Sequence, residues 1–244
     1  MKSAFFLDGV VGRDILNFIS ENFYEDIAFV VSIEKNVIWD LAKDLNLNVF
    51  LYNEVESLIE NKKIKFDNGF LIWWPKIIPE KILIFPENGF INTHPSFLPF
   101  QRGKFPSFWS QIEETKYGVT LHKVDIGIDS GPILFQKEIV YTLTDTGRSL
   151  YDKSIIEMIN LFKNKYPIIR KLEYKEIEQD KSLATYHSSS EVEKKTRIDL
   201  GKKYYAKDLI NMLKARNYGD DFPSCYFEMN GETFDVRAYI KKRK

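Results

Sequence analysis

The chain has 244 residues, 44% of them hydrophobic, which is enough for a sizeable core and excludes wholesale disorder. Thirty-five Lys and Arg balance thirty-five Asp and Glu, so a binding mode built on phosphate attraction is disfavoured and nucleic acid is not expected as a partner. The single cysteine, Cys225, excludes an internal disulfide framework and a cysteine-rich zinc centre.

The first apolar run, residues 4–7, is broken by Asp8. It is too short for a signal peptide or a membrane span, so a soluble cytoplasmic protein without a membrane partner is expected. The same run reads as a short buried strand. Val10, Val11, Ile15, Leu16, Phe18 and Ile19 then follow at helical spacing over 10–23. Residues 27–33 form a second apolar strand. A helix over 37–45 carries Ile38, Leu41, Ala42 and Leu45 on one side. A third strand is expected at 49–51, a helix at 55–61 and a fourth strand at 69–74. Strand–helix alternation with continuously apolar strands predicts an α/β fold, a Rossmann-like, mostly parallel sheet with helices on both faces. Gly9 and Gly12 fall short of the G-x-G-x-x-G fingerprint and read as a tight strand-to-helix turn without a bound phosphate.

From 75 to 140 the texture changes. Seven of the nine prolines lie there, with Gly103, Gly118, Gly127 and Gly131. Such residues punctuate irregular loops, and loops on a rigid sheet are where sites are built. A long helix follows from Ser149 to about Lys165, Pro167 should end or kink it, and Ile168, Ile169 and Leu172 could carry a last helical turn beyond it. Residues 173–199 are polar and read as a linker. A short amphipathic helix is expected over 204–215. Asn230-Gly231, between alternating runs, predicts a hairpin within 225–240.

The three histidines are His94, His122 and His187. His187 lies in the polar linker and is expected to be solvated. His122, in an alternating strand, reads more readily as a hydrogen-bonded structural residue than as a catalytic one. Asn92 and His94 are two apart in a strand and therefore share a face at an open strand end. An amide donor beside an imidazole suits acyl transfer: the imidazole takes a proton from the attacking group and the amide holds the developing oxyanion. Asp125 and Asp129 sit in a glycine-rich loop. One could orient the histidine, or both could serve ordinary turn chemistry. The histidines lack metal-ligand spacing, so no metal is expected.

Three blocks carry a resemblance. They are Asn92-Thr93-His94-Pro95-Ser96-Phe97-Leu98-Pro99-Phe100-Gln101-Arg102-Gly103, then Gly118-Val119-Thr120-Leu121-His122, then residues 125–133, Asp-Ile-Gly-Ile-Asp-Ser-Gly-Pro-Ile. In order and spacing they resemble the formyltransferases that use 10-formyltetrahydrofolate, with Phe97 in place of a usual leucine. The resemblance implies Asn92, His94 and Asp129 as a catalytic trio: His94 relays a proton and Asn92 stabilises the oxyanion. Asp129 either supports His94 or helps the leaving folate nitrogen gain its proton. It also implies cofactor contacts at Lys76, Ile77, Ile78 and Lys104, and in the loop Asp125, Ile126, Gly127 and Ile128. It divides the chain into a catalytic domain over 1–180 and a C-terminal extension with helix and hairpin over 181–244.

The tail and residues 145–153 are similar to the sugar N-formyltransferase branch, although Asn217 stands where a threonine is usual. That similarity implies a nucleotide-linked amino sugar as partner, dTDP-4-amino-4,6-dideoxyglucose or a close relative, in surface polysaccharide synthesis. Arg102 or Lys153 would meet the phosphates, and Tyr218, Phe222 or Tyr226 would stack on the base. The hairpin carries more apolar surface than one sheet face requires, so a homodimer is expected. The rival acceptors are glycinamide ribonucleotide and methionyl-tRNA. A third possibility is an inactive folate- or nucleotide-binding module, which the intact trio disfavours.

Overall fold

The computed structural model describes residues 1–243. β1 (Ser3–Leu7) is buried at every position, and α1 (Gly9–Asn22) turns Val11, Ile15, Leu16 and Ile19 inward. β2 (Ile27–Ser32), α2 (Val37–Asp44), β3 (Val49–Leu51), α3 (Tyr52–Glu60) and β4 (Asn68–Ile72) continue the alternation. The Asn36 side chain accepts the N–H groups of Ile38 and Trp39 and so starts α2. α3 begins at Tyr52, ahead of the expected Val55, because the Glu54 carboxylate accepts the Leu51 N–H at 2.8 Å.

The chain goes on through α4 (Glu80–Leu83), β5 (Phe90–His94), β6 (Arg102–Gly103), α5 (Pro106–Ile112), β7 (Gly118–Lys123), β8 (Ile133–Glu138) and α6 (Gly147–Ile169). β9 (Tyr186–His187), α7 (Ser189–Thr196), α8 (Ala206–Ala215), β10 (Cys225–Met229) and β11 (Glu232–Val236) complete it. Seven strands form one sheet in the order β3-β2-β1-β4-β5-β7-β8. All pairs from β3 to β5 are parallel, and β7 runs antiparallel to β5. Strand order reverses between β1 and β4, as in doubly wound folds. The mostly parallel α/β sheet expected from the alternation is therefore present. Asn230 and Gly231, with φ of 54° and 82°, supply the left-handed pair that joins β10 to β11.

α6 runs through Pro167 to Ile169, the last turn that Ile168 and Ile169 allow beyond the proline. Phe162, Tyr166 and Ile169 are fully buried, and the Arg170 guanidinium donates to the Asp26 carboxylate at 2.6 and 2.8 Å. This packing holds the last turn although the proline offers no N–H. One expectation needs correction: the polar stretch 173–199 is no plain linker. It contains β9, which pairs in parallel with β6, and α7, whose Glu191 carboxylate accepts the Ser188 N–H.

By their contacts the residues divide into two compact units. The first is Met1–His94, Thr120–Gln136 and Met158–Gln179; the second is Pro95–Val119, Lys137–Glu157 and the chain from Asp180 onward. In the first, Phe5 stacks on Phe70 at 5.0 Å and Phe6, Phe66 and Phe90 pack edge to face. In the second, Phe108, Trp109, Val192 and Ala215 form the core.

Candidate active site

The antiparallel register of β5 and β7 sets Asn92 opposite His122 and His94 opposite Thr120. Residues two apart on a strand share a face, so Asn92, His94 and His122 project together. Both histidines are nearly closed to solvent, at 5% and 2% exposure, which protects their hydrogen bonds from competing water. The Asn92 amide nitrogen lies 3.2 Å from His122 Nε2, and His122 Nδ1 lies 2.7 Å from the Lys123 carbonyl oxygen.

The loop after β7 brings the third member. Asp129 Oδ1 accepts from Asn92 Nδ2 at 3.2 Å, and Asp129 Oδ2 lies 3.5 Å from His94 Nδ1. One carboxylate thus faces both β5 side chains. Asp129 adopts φ of 50°, a left-handed conformation that aspartate tolerates better than most residues. Two neighbouring glycines shape the turn. A Cβ on Gly131 would stand 2.0 Å from the Lys123 carbonyl oxygen, and one on Gly127 would stand 2.0 Å from Ser130 Oγ. Asp125 does not join the trio. It accepts from Ser130 Oγ at 2.7 and 2.9 Å and from the Gly127 N–H at 3.1 Å, bracing the loop from within.

Gln179 was not foreseen in this role. Its side-chain nitrogen donates to the carbonyls of Asp129 at 2.9 Å and Gly131 at 2.7 Å and pins the turn that presents the carboxylate. A lone glutamine in a charged stretch carries no local signal for such a contact. Lys76 and Ile77 are exposed on the segment after β4, with Ile77 at 83%, whereas Ile78 is buried in the core. The Ile77 carbonyl accepts from the Tyr52 hydroxyl at 3.0 Å. Ile126 and Ile128 stand out from the loop at 84% and 45% exposure. Among the described residues, no group of three His, Cys, Asp or Glu is placed to hold a metal ion.

The Formyl transferase family model matches residues 20–158, more than half of the chain and all three members of the cluster. The chain belongs to this family. A second model, the N-formyltransferase dimerization C-terminal domain, matches residues 191–242. The chain is similar to the dTDP-4-amino-4,6-dideoxyglucose formyltransferase of Mycobacterium tuberculosis, at 31% identity over 158 residues. That stretch covers 63% of this chain and 65% of the relative. A methionyl-tRNA formyltransferase of Bacillus velezensis is 31% identical over 194 residues, covering 79% of this chain and 58% of its own length. In structure, the sugar N-formyltransferase from Shewanella sp FDAARGOS_354 superposes with a TM-score of 0.82 at 22% identity. It covers 100% of this chain and 99% of its own.

The remaining residues expected at the site all lie in the second unit. Arg102 is held in β6, and Lys104 is exposed, its N–H donating to the His187 carbonyl. Lys153 donates to Asp145 at 2.7 Å, which balances its charge within the protein. That contact and those from Thr142 and Ser149 hold the Asp145 carboxyl below its ordinary range, although burial alone would raise it. The Tyr218 hydroxyl lies 2.6 Å from Ser107 Oγ, and its ring lies 6.5 Å from that of Phe222, which is 47% exposed. Tyr226 sits in β10 opposite Asp235.

His187 contradicts the expectation of a solvated residue. Its ring stacks on Trp109 at 3.8 Å. Nε2 lies 2.6 Å from Glu113 Oε1 and Nδ1 lies 3.2 Å from Glu191 Oε2. The charged composition that made this stretch look like a linker supplies one of those carboxylates, and an aromatic face supplies the cover.

Proposed function

We propose that the chain transfers a formyl group from 10-formyltetrahydrofolate to the amino group of a nucleotide-linked amino sugar. The observation that carries the reading is the Asp129 carboxylate, which faces Asn92 and His94 at once. His94 takes the proton that the attacking amine loses, and Asp129 favours its protonated form. A new C–N bond forms at the formyl carbon, the bond from that carbon to the donor nitrogen breaks, and the donor nitrogen gains a proton. The exposed apolar side chains of Ile77 and Ile126, on loops of the same unit, suit a flat heterocycle that would cover them. Lys76, the backbone of 77–78, the loop Asp125–Ile126–Gly127–Ile128 and Lys104 are the donor contacts in this reading.

The sugar class rests on the relative from Mycobacterium tuberculosis and on the second family model. Between the two family matches, at residues 158 and 191, falls the boundary we assign near 180, with the catalytic domain before it and the extension after it. Arg102 and Lys153 would meet the diphosphate, Lys153 by leaving Asp145. Tyr218, Phe222 or Tyr226 would stack on the base. The extension forms the dimer contact. No helix among the described residues is long and apolar enough to cross a membrane. Both substrates are highly polar metabolites, and we place the reaction in the cytoplasm.

The test is a mass-spectrometric assay with the folate donor and, separately, dTDP-4-amino-4,6-dideoxyglucose, glycinamide ribonucleotide and methionyl-tRNA. A formyl mass gain on the sugar nucleotide alone is expected. Gain on either other acceptor, with none on the sugar, would overturn the substrate class; no gain on any would favour the inactive module.

A further inference from the structure

Every nitrogen of the Asn92–His122 pair has an assigned neighbour, and together these neighbours determine which way the amide faces. His122 Nδ1 stands 2.7 Å from a backbone carbonyl, an acceptor only, so Nδ1 must carry a proton there. A ring carrying that single proton has its lone pair on Nε2. Nε2 lies 3.2 Å from the Asn92 amide and 3.6 Å from Asp129 Oδ1; because the amide nitrogen donates to that same carboxylate oxygen, it presents N–H toward Nε2, which accepts. Asp129 Oδ1, also an acceptor, lies 3.2 Å from the same amide nitrogen. The flipped amide would set its oxygen against both a lone pair and a carboxylate. Both N–H groups of Asn92 are therefore engaged inside the protein. Its Oδ1 makes no hydrogen bond with any described residue and is not sealed from solvent.

We propose that His122 is a positioning residue: as the Nδ1–H tautomer it turns Asn92 so that the amide oxygen accepts a hydrogen bond from the amine being formylated. This inference rests on the formyl-transfer reading. It reverses the part a strand-end amide would be expected to play, because the side that faces the substrates is an acceptor and not a donor. An oxygen set beside the nucleophile takes one amine N–H and leaves the nitrogen lone pair directed at the formyl carbon, a gain in orientation. The positive partner for the developing oxyanion is then the protonated ring of His94. Lys123, whose carbonyl oxygen accepts from His122 Nδ1, precedes the loop that carries Asp129. The tautomer of His122 thereby depends on the same backbone turn that positions the acid.

Three measurements on the full chain test this. The first needs no activity. Long-range proton–nitrogen NMR of the labelled protein should show His122 protonated at Nδ1 and bare at Nε2; a proton on Nε2 overturns the proposal. The second compares His122→Gln, whose side-chain oxygen can reach the place of Nε2, with His122→Leu. Both lose the bond to Lys123. The Leu variant should lower kcat roughly 10- to 100-fold with the donor KM unchanged, and the Gln variant should recover most of that loss. Equal loss in both, matched by equal loss of Tm, would make His122 merely structural. The third is calorimetric binding to Asn92→Leu. Affinity for the amino-sugar nucleotide should fall about tenfold, roughly one hydrogen bond's worth, while affinity for dTDP stays put. An unchanged amino-sugar affinity would return Asn92 to an oxyanion-donor role. If the wild-type chain formylates no sugar, the substrate reading fails while the NMR result still decides the tautomer.

Discussion

The β5–β7 pair and the β10–β11 pair are both antiparallel, yet they meet their surroundings in opposite ways. β7 is buried from Gly118 to His122, and the polar groups it shares with β5 find partners in one another and in Asp129. β10–β11 turns much of itself outward. Glu232–Asp235 is exposed along its length, and Phe227 stacks on Phe234 at 5.2 Å with Phe234 still 36% exposed. A two-stranded hairpin is marginal alone and takes its stability from whatever covers it. The difference teaches how each pair is held. The first is fixed by cover within its own sheet, so its side chains can be set for chemistry. The second leaves apolar surface to be covered by something else, which in our reading is a second copy of the chain.

Breaking the first pair's chemistry should give the largest effect. His94→Ala should lower turnover roughly 100- to 10,000-fold, as for loss of a general base, with Tm little changed. Near-wild-type turnover in the folded variant would end the assignment of His94. The second pair is broken by ending the chain before Phe222. Light scattering should then report a monomer mass in place of a dimer, with the seven-stranded sheet still folded by circular dichroism. An unchanged dimer mass would put the interface elsewhere.

A smaller effect separates the scaffold from the site. Asp26 is buried, which by itself would raise its pKa, but Arg170 and Tyr166 donate to it and hold the carboxyl below the usual carboxylate range. A depressed folded-state pKa means that the contribution is present above the unfolded-state value. It is lost as pH falls through the folded one. Asp26→Asn should cost about 2 kcal/mol at neutral pH, and the gap from the parent should narrow in acid below about pH 4, as read by denaturant melts. A gap constant with pH would show that the pair adds no charge-dependent stability.

Sequence pattern exposed the parallel half well. The strands Ser3–Leu7, Ile27–Ser32 and Asn68–Ile72 that the apolar runs became are buried at nearly every position, as a strand covered on both faces requires. The pairing of Asn92 with His94 was legible for a different reason, their shared strand period, whereas the choice of Asp129 over Asp125 came only from the family resemblance. What escaped was whatever long-range pairing alone creates. β6 and β9 hold only two residues each and are joined across more than eighty positions, so neither shows a period of its own. Gln179 and His187 escaped with them, because a charged neighbourhood looks the same in sequence whether its partners are water or a buried ring. The turn of α6 past Pro167 was legible in Ile168 and Ile169, but what holds it, Tyr166 and Arg170 meeting Asp26 about 140 positions away, was not.

The two compact units are woven from alternate stretches of one thread, with passages at His94, Val119, Gln136, Glu157 and Gln179. One passage falls inside α6, which has no loop there to cut. The tail beyond Asp180 shares its unit with Pro95–Val119, the stretch that carries Arg102 and Lys104, so it has no private core to take with it. Grafting a foreign tail at residue 180 to change acceptor preference should therefore yield insoluble chimaeras. In our reading, which places the acceptor contacts in that unit, exchange of acceptor specificity between relatives would proceed by point substitution in both of its halves, a slower route than the swapping of modules.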